Sequence, residues 1–215
     1  MRVEDRNKSW AKYLAIIGDV VGSRELQDRG AVQQQLRVGI SRVNKQFSSS
    51  IASNFILTIG DEFQGLLRDV DKIPQLLAVL RSEIHPIEQR VGVGIGGLDT
   101  ELEAVAIGMD GPCFHRARSA IDRAKARGTY VEVETEEQDE AFRIYALLYS
   151  GIRGHWTPRQ RQVFDLSMSK KTGKTIAEQL GISPSAVSQH LGAAGANIVF
   201  DATQFWVDAL RRAFG

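Results

Sequence analysis

Two apolar runs that each carry one aspartate constrain the fold of this chain more than any other feature. Residues 16–21 contain Asp19, and residues 57–63 contain Asp61. Both runs read as strands, and a carboxylate at the end of a buried strand needs a polar partner or a cation. If folding places the two aspartates side by side, they form an acidic pocket suited to Mg²⁺ and a phosphate-bearing ligand.

The spacing of apolar residues predicts how the two aspartates meet. We expect a strand over residues 13–18, a helix over 32–47, and two strands within 51–67 that turn near Gly60 and Asp61. A helix over 70–84, a strand over 90–95, a helix over 112–126 and a strand over 130–133 follow. The first six elements spell the β-α-β-β-α-β unit of ferredoxin-like folds, in which the first strand lies beside the hairpin strand. The sequence therefore predicts an α/β, ferredoxin-like sheet with helices on one face.

Changes in composition and in the predicted elements divide the chain into three regions. Residues 11–134 form the predicted α/β body, and residues 135–152 form a connector helix. The acidic run over residues 132–140 is interpreted as the solvated start of that helix. Residues 153–215 form a small all-α tail with eight Lys/Arg and four Asp/Glu, a basic balance that favours an anionic partner.

The tail contains the strongest local motif, residues 175–191. Two short helical stretches flank Gly181, which supplies a sharp turn that a side chain would resist. Ser183 is a good N-cap, and Pro184 stands at the first helical position, where its missing N–H has no cost. This pattern predicts a helix-turn-helix, and a helical hairpin used for packing or dimerisation is the alternative.

If the motif binds DNA, small polar side chains on its second helix contact base edges while nearby cations contact phosphates. The candidate DNA-binding residues are Ser185, Ser188, Gln189, His190, Arg159, Arg161 and Lys174. Residues 156–192 resemble the helix-turn-helix of sigma-factor region 4 and of LuxR-type regulators. That resemblance implies double-stranded DNA as a partner.

The body resembles class III nucleotidyl cyclases and diguanylate cyclases, which share a sheet called the palm. Residues 18–23 (GDVVGS) resemble the first cyclase strand and turn, and residues 58–63 (TIGDEF) resemble the hairpin. Residues 90–96, 111–118 and 128–133 resemble the later palm elements in the same order. The whole chain, body and tail together, most resembles the SatD family.

The cyclase resemblance implies a ligand site. Asp19 and Asp61 would hold Mg²⁺, with the Val20 carbonyl as a further metal ligand. Backbone N–H groups of Val21, Gly22 and Ser23 would surround phosphates. Glu62 is a third acidic candidate. The alternative is that both aspartates merely cap turns, as aspartate often does.

Two departures from the cyclase pattern indicate that the palm is degenerate. Apolar Phe55, Ile56 and Leu57 occupy the strand where cyclases carry a base-selecting lysine. Phe114 stands where they place an asparagine, four residues before an arginine. Arg118 keeps that arginine and would be catalytic only in an active enzyme. A palm that binds a nucleotide without converting it fits these residues better than ordinary cyclisation.

The sequence thus predicts a DNA-binding transcriptional regulator that senses a nucleotide or another phosphate ligand with Mg²⁺. Since cyclase palms work as dimers, a homodimer is expected. An active cyclase or nucleotidyltransferase with a docking tail is one alternative, and a protein–protein adaptor is another. The absence of roughly 18 unbroken apolar residues, the mixed-charge residues 1–8 and the single cysteine, Cys113, favour a cytoplasmic protein without disulfides.

Overall fold

The computed structural model describes residues 11–215 except 26, 27, 59 and 138. The mixed-charge segment 1–8 and Ile59 of the hairpin motif therefore lie outside the described residues. The body contains β1 (Tyr13–Val20), α1 (Arg29–Gln46), β2 (Ile51–Leu57), β3 (Phe63–Leu67), α2 (Ile73–Ile84), β4 (Gln89–Gly96), α3 (Pro112–Arg127) and β5 (Val131–Glu134). It is followed by α4 (Glu140–Gly154), α5 (Pro158–Met168), α6 (Gly173–Leu180), α7 (Pro184–Ala193) and α8 (Ala196–Phe214).

The five strands form one sheet in the order β2-β3-β1-β4-β5. Strand β1 is central and pairs antiparallel with both β3 and β4, while β5 pairs parallel with β4. The first four strands and the helices between them reproduce the β-α-β-β-α-β arrangement. The predicted ferredoxin-like α/β fold is confirmed, and β1 lies beside the hairpin strand β3.

Helices cover both faces of this sheet. Helices α1 and α2 share one large core with Leu14, Ile16 and Val93, whereas α3 packs on the opposite face against Ala15 and Ile17. Helices α1 and α2 lie on one face of the sheet, as the ferredoxin-like pattern predicts. Helix α3 covers the opposite face, which the expectation of helices on one face did not include. Because β4 and β5 are parallel, their connection must cross a face of the sheet, and α3 makes that crossing.

The glycines of β4 explain how α3 comes so close. A Cβ atom at Gly94 would lie 2.1 Å from the Cys113 carbonyl oxygen, and one at Gly92 would lie 2.3 Å from that of Ala117. These separations are far below van der Waals contact, so only glycine fits at both positions. The alternating glycines of residues 92–96 are thus a helix-packing surface.

The acidic run after α3 is not the solvated start of a helix. Glu132 and Glu134 belong to β5, and Glu132 is buried, with its carboxylate bonded to the Thr129 hydroxyl at 3.0 Å and to Arg127. The connector helix begins only at Glu140, where the Asp139 side chain accepts a hydrogen bond from the backbone of Ala141. The β-branched valines of β5 outweigh the charges between them.

The C-terminal helices share the main core of the body. The Tyr145 ring of α4 stacks on Trp206 of α8 at 5.1 Å between ring centres, and Phe164 of α5 belongs to the same cluster as the sheet residues. The region boundaries at residues 134 and 152 stay predictions. Within the described residues, none of the helices has the length and apolarity required to cross a membrane.

Candidate functional site

Asp19 and Asp61 meet at one end of the sheet. Asp19 is the last residue but one of β1, and Asp61 lies in the turn before β3, whose residue Phe63 pairs with Gly18. The Asp61 carboxylate accepts a hydrogen bond from the backbone N–H of Val20, at 3.3 Å. The sheet order therefore juxtaposes the two acidic groups, although about forty residues separate them along the chain.

Two cations stand against Asp19. The Lys125 ammonium of α3 lies 2.9 Å from Oδ2 of Asp19. Arg90 is the cross-strand partner of Asp19 in the β1–β4 register, so both side chains emerge on the α3 face. The acidic pocket is therefore a mixed site in which Lys125 already balances one carboxylate.

The Asp19 carboxylate is nevertheless incompletely satisfied. Its Oδ1 atom is buried and has no hydrogen-bond partner in the described part of the chain. Burial raises the pKa of Asp19 above its ordinary value, against the opposing effects of Lys125 and Arg90, and the charge of Asp61 adds to the rise. A buried acceptor oxygen without a donor is a place where a bound cation or polar ligand group gains an interaction.

Glu62 and Arg118 form a second ion pair beside the first. Two nitrogens of Arg118 donate to the two carboxylate oxygens of Glu62, at 2.6 and 2.7 Å. The hydrogen bond from Arg118 is the main reason that the pKa of Glu62 is lowered. This bidentate ion pair occupies Arg118, which is the arginine that this chain shares with the cyclase pattern.

The turn after β1 is only partly open to a phosphate. The Val21 N–H donates to the Glu88 carbonyl at 2.8 Å, and the Val20 N–H is committed to Asp61. Gly22 adopts a left-handed conformation with φ of 68°, is exposed, and leads into a short 3₁₀ helix, Ser23–Glu25. Of the three predicted phosphate-binding positions, Gly22 is exposed, while Val21 and Ser23 are half-buried.

Asp19 and Asp61 together supply two carboxylates at this end of the sheet. Among the described residues, no three His, Cys, Asp or Glu side chains converge as metal ligands. Mg²⁺ usually needs only one or two carboxylates when phosphate oxygens complete its coordination. The orphaned Oδ1 of Asp19 and the carboxylate of Asp61 meet that minimum, so the residues fit an ion that arrives with a phosphate ligand. Lys125 must then leave Oδ2 of Asp19.

The departures from the cyclase pattern are visible in packing. Phe55, in the strand where a base-selecting lysine would stand, is 2% exposed and belongs to the core of α1 and α2. Phe114, in the asparagine position, packs against the opposite face with Cys113. Both side chains contribute apolar contacts to the body.

Sequence reasoning missed Lys125 and Arg90. Lys125 lies seven residues after Arg118, two turns along the same face of α3, and this spacing was the available signal. Arg90 could have been paired with Asp19 only from the register of β1 on β4. That register depends on which strands become neighbours.

The tail contains a compact three-helix unit. Val163 and Leu166 of α5, Ile176 and Ala177 of α6, and Val187 of α7 form one small core. Gly181 ends α6 in the left-handed conformation, with φ of 63°. The Ser183 hydroxyl then caps α7 by accepting from the Ala186 N–H, and Pro184 begins the helix. Each of these features agrees with helix-turn-helix geometry.

The predicted DNA-binding residues differ in how free they are. On α7, Ser185, Ser188 and Gln189 are exposed, and His190 is half-buried. Lys174 and Arg159 are exposed near the same unit. Arg161 points elsewhere, because its guanidinium is partly buried and donates to Glu88 at 3.4 Å and to the Gly154 carbonyl.

A second charge cluster lies buried where the tail meets the body. Arg153 of α4 is 1% exposed and bridges Glu88 of the body, at 2.9 Å, to Asp165 of α5, at 2.7 Å. Arg81 of α2 also donates to Asp165, at 2.9 Å. The Arg153 guanidinium is enclosed by three aromatic rings 5.7 to 5.9 Å away, those of Tyr130, Tyr149 and Trp156.

Known proteins resemble the chain at two levels. The model of the SatD family matches residues 13–209. Two solved structures of a bacterial light-regulated adenylyl cyclase are similar in fold, one with 11% identity and a TM-score of 0.42 over 57% of this chain and 43% of its own. The other has 10% identity and a TM-score of 0.44 over 68% of this chain and 81% of its own. The chain thus spans less than half of the first structure. No curated protein matches significantly in sequence.

Proposed function

The chain belongs to the SatD family, and we propose that it is a DNA-binding transcriptional regulator whose degenerate cyclase-like body senses a nucleotide or another phosphate ligand with Mg²⁺. The observation that carries the DNA-binding part is the first two turns of α7. They present Ser185, Ser188 and Gln189 to solvent on a capped helix that follows a left-handed glycine turn. A helix exposed in this way can enter a major groove.

The ligand-sensing part rests on the strand-end site. Asp19 and Asp61 would hold Mg²⁺ together with the Val20 carbonyl, and Gly22 and Ser23 would face the phosphates. Lys125 neutralises Asp19, at 2.9 Å. If these carboxylates held Mg²⁺ and a phosphate ligand, the Lys125 ammonium would be free to interact with phosphate oxygens.

Sensing without turnover is supported by the state of the retained arginine. Arg118 is held by both oxygens of Glu62, and no asparagine accompanies it on α3. A transition-state arginine must be free to approach developing charge on phosphate. A regulator that binds its ligand unchanged places no such demand on Arg118.

A homodimer is the assembly that we propose for the regulator. Helix α4 exposes Ile144, Leu147 and Leu148, which are 49%, 51% and 56% exposed and share one face. Two helix-turn-helix units joined through such a face could read two half-sites on DNA. Sedimentation of the Leu148→Glu variant, expected to be monomeric, tests this assembly.

DNA binding is tested by selection of random duplexes followed by anisotropy titrations at several salt concentrations. Gln189→Ala should lower affinity for the selected sequence by about 1–3 kcal/mol and relax base preference at one position. Lys174→Ala should weaken binding to all duplexes alike, and it should reduce the slope of log affinity against log salt concentration by about one. Gln46→Ala and Lys45→Ala, two exposed changes at the end of α1, are the matched controls.

The same selection separates the regulator from an adaptor. Retention of no duplex, even at low salt, would overturn the regulator proposal, because phosphate contacts are strongest there. Equal losses of DNA affinity in the tail variants and in the α1 control variants would also contradict the regulator proposal.

Ligand binding is tested by calorimetry with ATP and GTP in the presence of Mg²⁺ or Mn²⁺. Asp19→Ala and Asp61→Ala should abolish the heat of binding, whereas Asp201→Ala on the exposed surface of α8 should leave it unchanged. Pyrophosphate release that both variants abolish would identify an active nucleotidyltransferase instead. Unaltered binding in both variants would place the ligand elsewhere.

A further inference from the structure

A cleft lies between the body and the tail, away from the strand-end site. Its volume is about 350 Å³, and it is bounded by the start of α2, the end of α5 and one side of α8. Apolar side chains from all three helices line it, namely Pro74, Met168, Phe200 and Val207. Body and tail thus contribute walls to one opening.

A smaller chamber adjoins the inner side of this cleft. Its volume is about 20 Å³, and it shares Pro74, Met168 and Thr203 with the cleft. Polar walls are supplied by Arg81, Tyr145, Tyr149 and Trp206. A space of this size accepts one oxygen-sized group, since a single water needs about 10–15 Å³ by the same kind of measure.

Two donors in the chamber wall are without partners. The Tyr149 hydroxyl and the Trp206 Nε1–H are buried and make no hydrogen bond within the described residues. Their side chains are only 5% and 3% exposed. Buried polar groups are normally satisfied, so two orphaned donors on residues that line one small space point to an occupant that accepts hydrogen bonds.

The neighbouring hydrogen bonds strengthen the demand for an acceptor. The Thr203 hydroxyl donates to the Val199 carbonyl at 2.6 Å, so the Tyr145 hydroxyl must be the donor in its 2.9 Å contact with Thr203. Burial raises the pKa of Tyr149, which keeps its hydroxyl protonated and able to donate. The Trp206 indole can only donate.

Charge around the chamber favours an anion. The Arg81 guanidinium is in the wall, and Arg153 lies over the Tyr149 ring. The carboxylates nearest to these two arginines, Asp165 and Glu88, are already bonded to arginine side chains. At the outer rim, the Asp71 carboxylate is bonded to Arg211 at 2.7 Å, and Lys170 is exposed and adds positive charge.

We propose that this junction cleft binds a small organic carboxylate with an apolar body. One carboxylate oxygen enters the chamber and accepts from Tyr149 and Trp206, while the apolar part lies along Met168, Phe200 and Val207. Because the walls come from α2, α5 and α8, the occupant stabilises the packing of the tail on the body and acts as a second effector.

The test is an NMR titration of the indole N–H signals with benzoate as the probe. The chain has three tryptophans, and the signal lost in Trp206→Phe identifies the one in the chamber. Benzoate should shift that signal saturably, whereas benzylammonium, with the same ring and the opposite charge, should not. Absence of a saturable shift up to about 10 mM benzoate, the range expected for a fragment of this size, overturns the proposal.

Variants then locate the site. Tyr149→Phe should weaken benzoate binding at least fivefold, while Tyr130→Phe, a matched change outside both spaces, should not. Ser167→Phe fills the outer cleft without touching either donor and should abolish the shift. A shift that survives both Tyr149→Phe and Ser167→Phe places benzoate elsewhere and overturns the proposal. The readout requires neither DNA nor nucleotide, so its failure leaves the proposed function standing.

Discussion

The two charge clusters of this protein are built from the same side-chain types, yet they are satisfied to different degrees. At the junction of body and tail, Arg153 donates to both oxygens of Glu88 and both of Asp165. At the strand-end site, one oxygen of Asp19 contacts Lys125, and the other is buried and has no hydrogen-bond partner among the residues that the structure describes. A satisfied cluster holds elements together, whereas an unsatisfied one is open to a ligand.

Burial and the origin of the partners account for this difference. Arg153 is enclosed by aromatic rings, and its carboxylate partners are Glu88, just before β4, and Asp165 of α5. The cations of the strand-end site are more accessible, with 39% of the Lys125 side chain exposed. Solvent screens such a pair, so Lys125 can be exchanged for another cation at little cost. The comparison separates a structural network from a candidate binding site.

Breaking the junction network should have the largest effect. Arg153→Met leaves Glu88 and Asp165 buried without their main counter-charge, so we expect the free energy of unfolding to fall by about 3–5 kcal/mol. Urea unfolding followed by circular dichroism measures it. Arg159→Met, an exposed change nearby, should stay within about 0.5 kcal/mol. A loss in Arg153→Met as small as in this control would refute the structural role of the network.

Neutralising Asp19 should raise the free energy of unfolding at neutral pH, whereas Arg153→Met should lower it. The pKa of Asp19 is raised, so the fold favours its protonated form, and the stability from this preference is lost as pH rises through the folded-state pKa. Asp19→Asn should therefore stabilise the protein at pH 7, by up to about 1 kcal/mol.

The gain from Asp19→Asn should vanish at acid pH, where the native carboxyl is also neutral. Thermal unfolding across the pH range measures the difference. Lys125→Met should destabilise at pH 7, since it removes the cation that opposes the burial of Asp19. Destabilisation by Asp19→Asn at neutral pH would mean that this carboxylate is as well satisfied as those bound by Arg153.

Neutralising Glu62 should change the free energy of unfolding least, and its pH dependence should be the reverse of that for Asp19. Arg118 lowers the pKa of Glu62 below its ordinary value of 4.5. The stability that this pair contributes is present above the unfolded-state pKa and lost as pH falls through the folded-state pKa. Glu62→Gln should cost less than about 1 kcal/mol at pH 7, because the Arg118 side chain is 46% exposed.

The difference between wild type and Glu62→Gln should disappear in acid, and the same thermal unfolding series measures it. Opposite pH dependence for Glu62 and Asp19 would show that the Glu62 carboxylate is well satisfied by its partner and that the Asp19 carboxylate is not. A constant difference at all pH values would show that the Glu62 charge contributes nothing.

Much of the fold could be predicted because its signals are local. The spacing Val32, Leu36, Ile40 and Val43 marks the buried face of α1, although the helix begins earlier, at Arg29, behind the Asp28 cap. The Gly181 turn and the Ser183 cap place α6 and α7. Glu132 was misinterpreted, since charge composition does not reveal that Thr129 and Arg127 will satisfy a buried carboxylate.

Helix faces, strand alternation, turn glycines and caps depend on residues a few positions apart, and for this reason the chain alone specified the ferredoxin-like order and the meeting of Asp19 with Asp61. Which side chain would neutralise Asp19, and how the tail would dock, depended on contacts between distant residues. Lys125 reaches Asp19 only after α3 crosses the sheet, and Arg153 finds Glu88 and Asp165 only after α4 and α5 fold against the body. Such pairings are set by three-dimensional packing, because the strength of a charge interaction depends on distance and burial in the folded state.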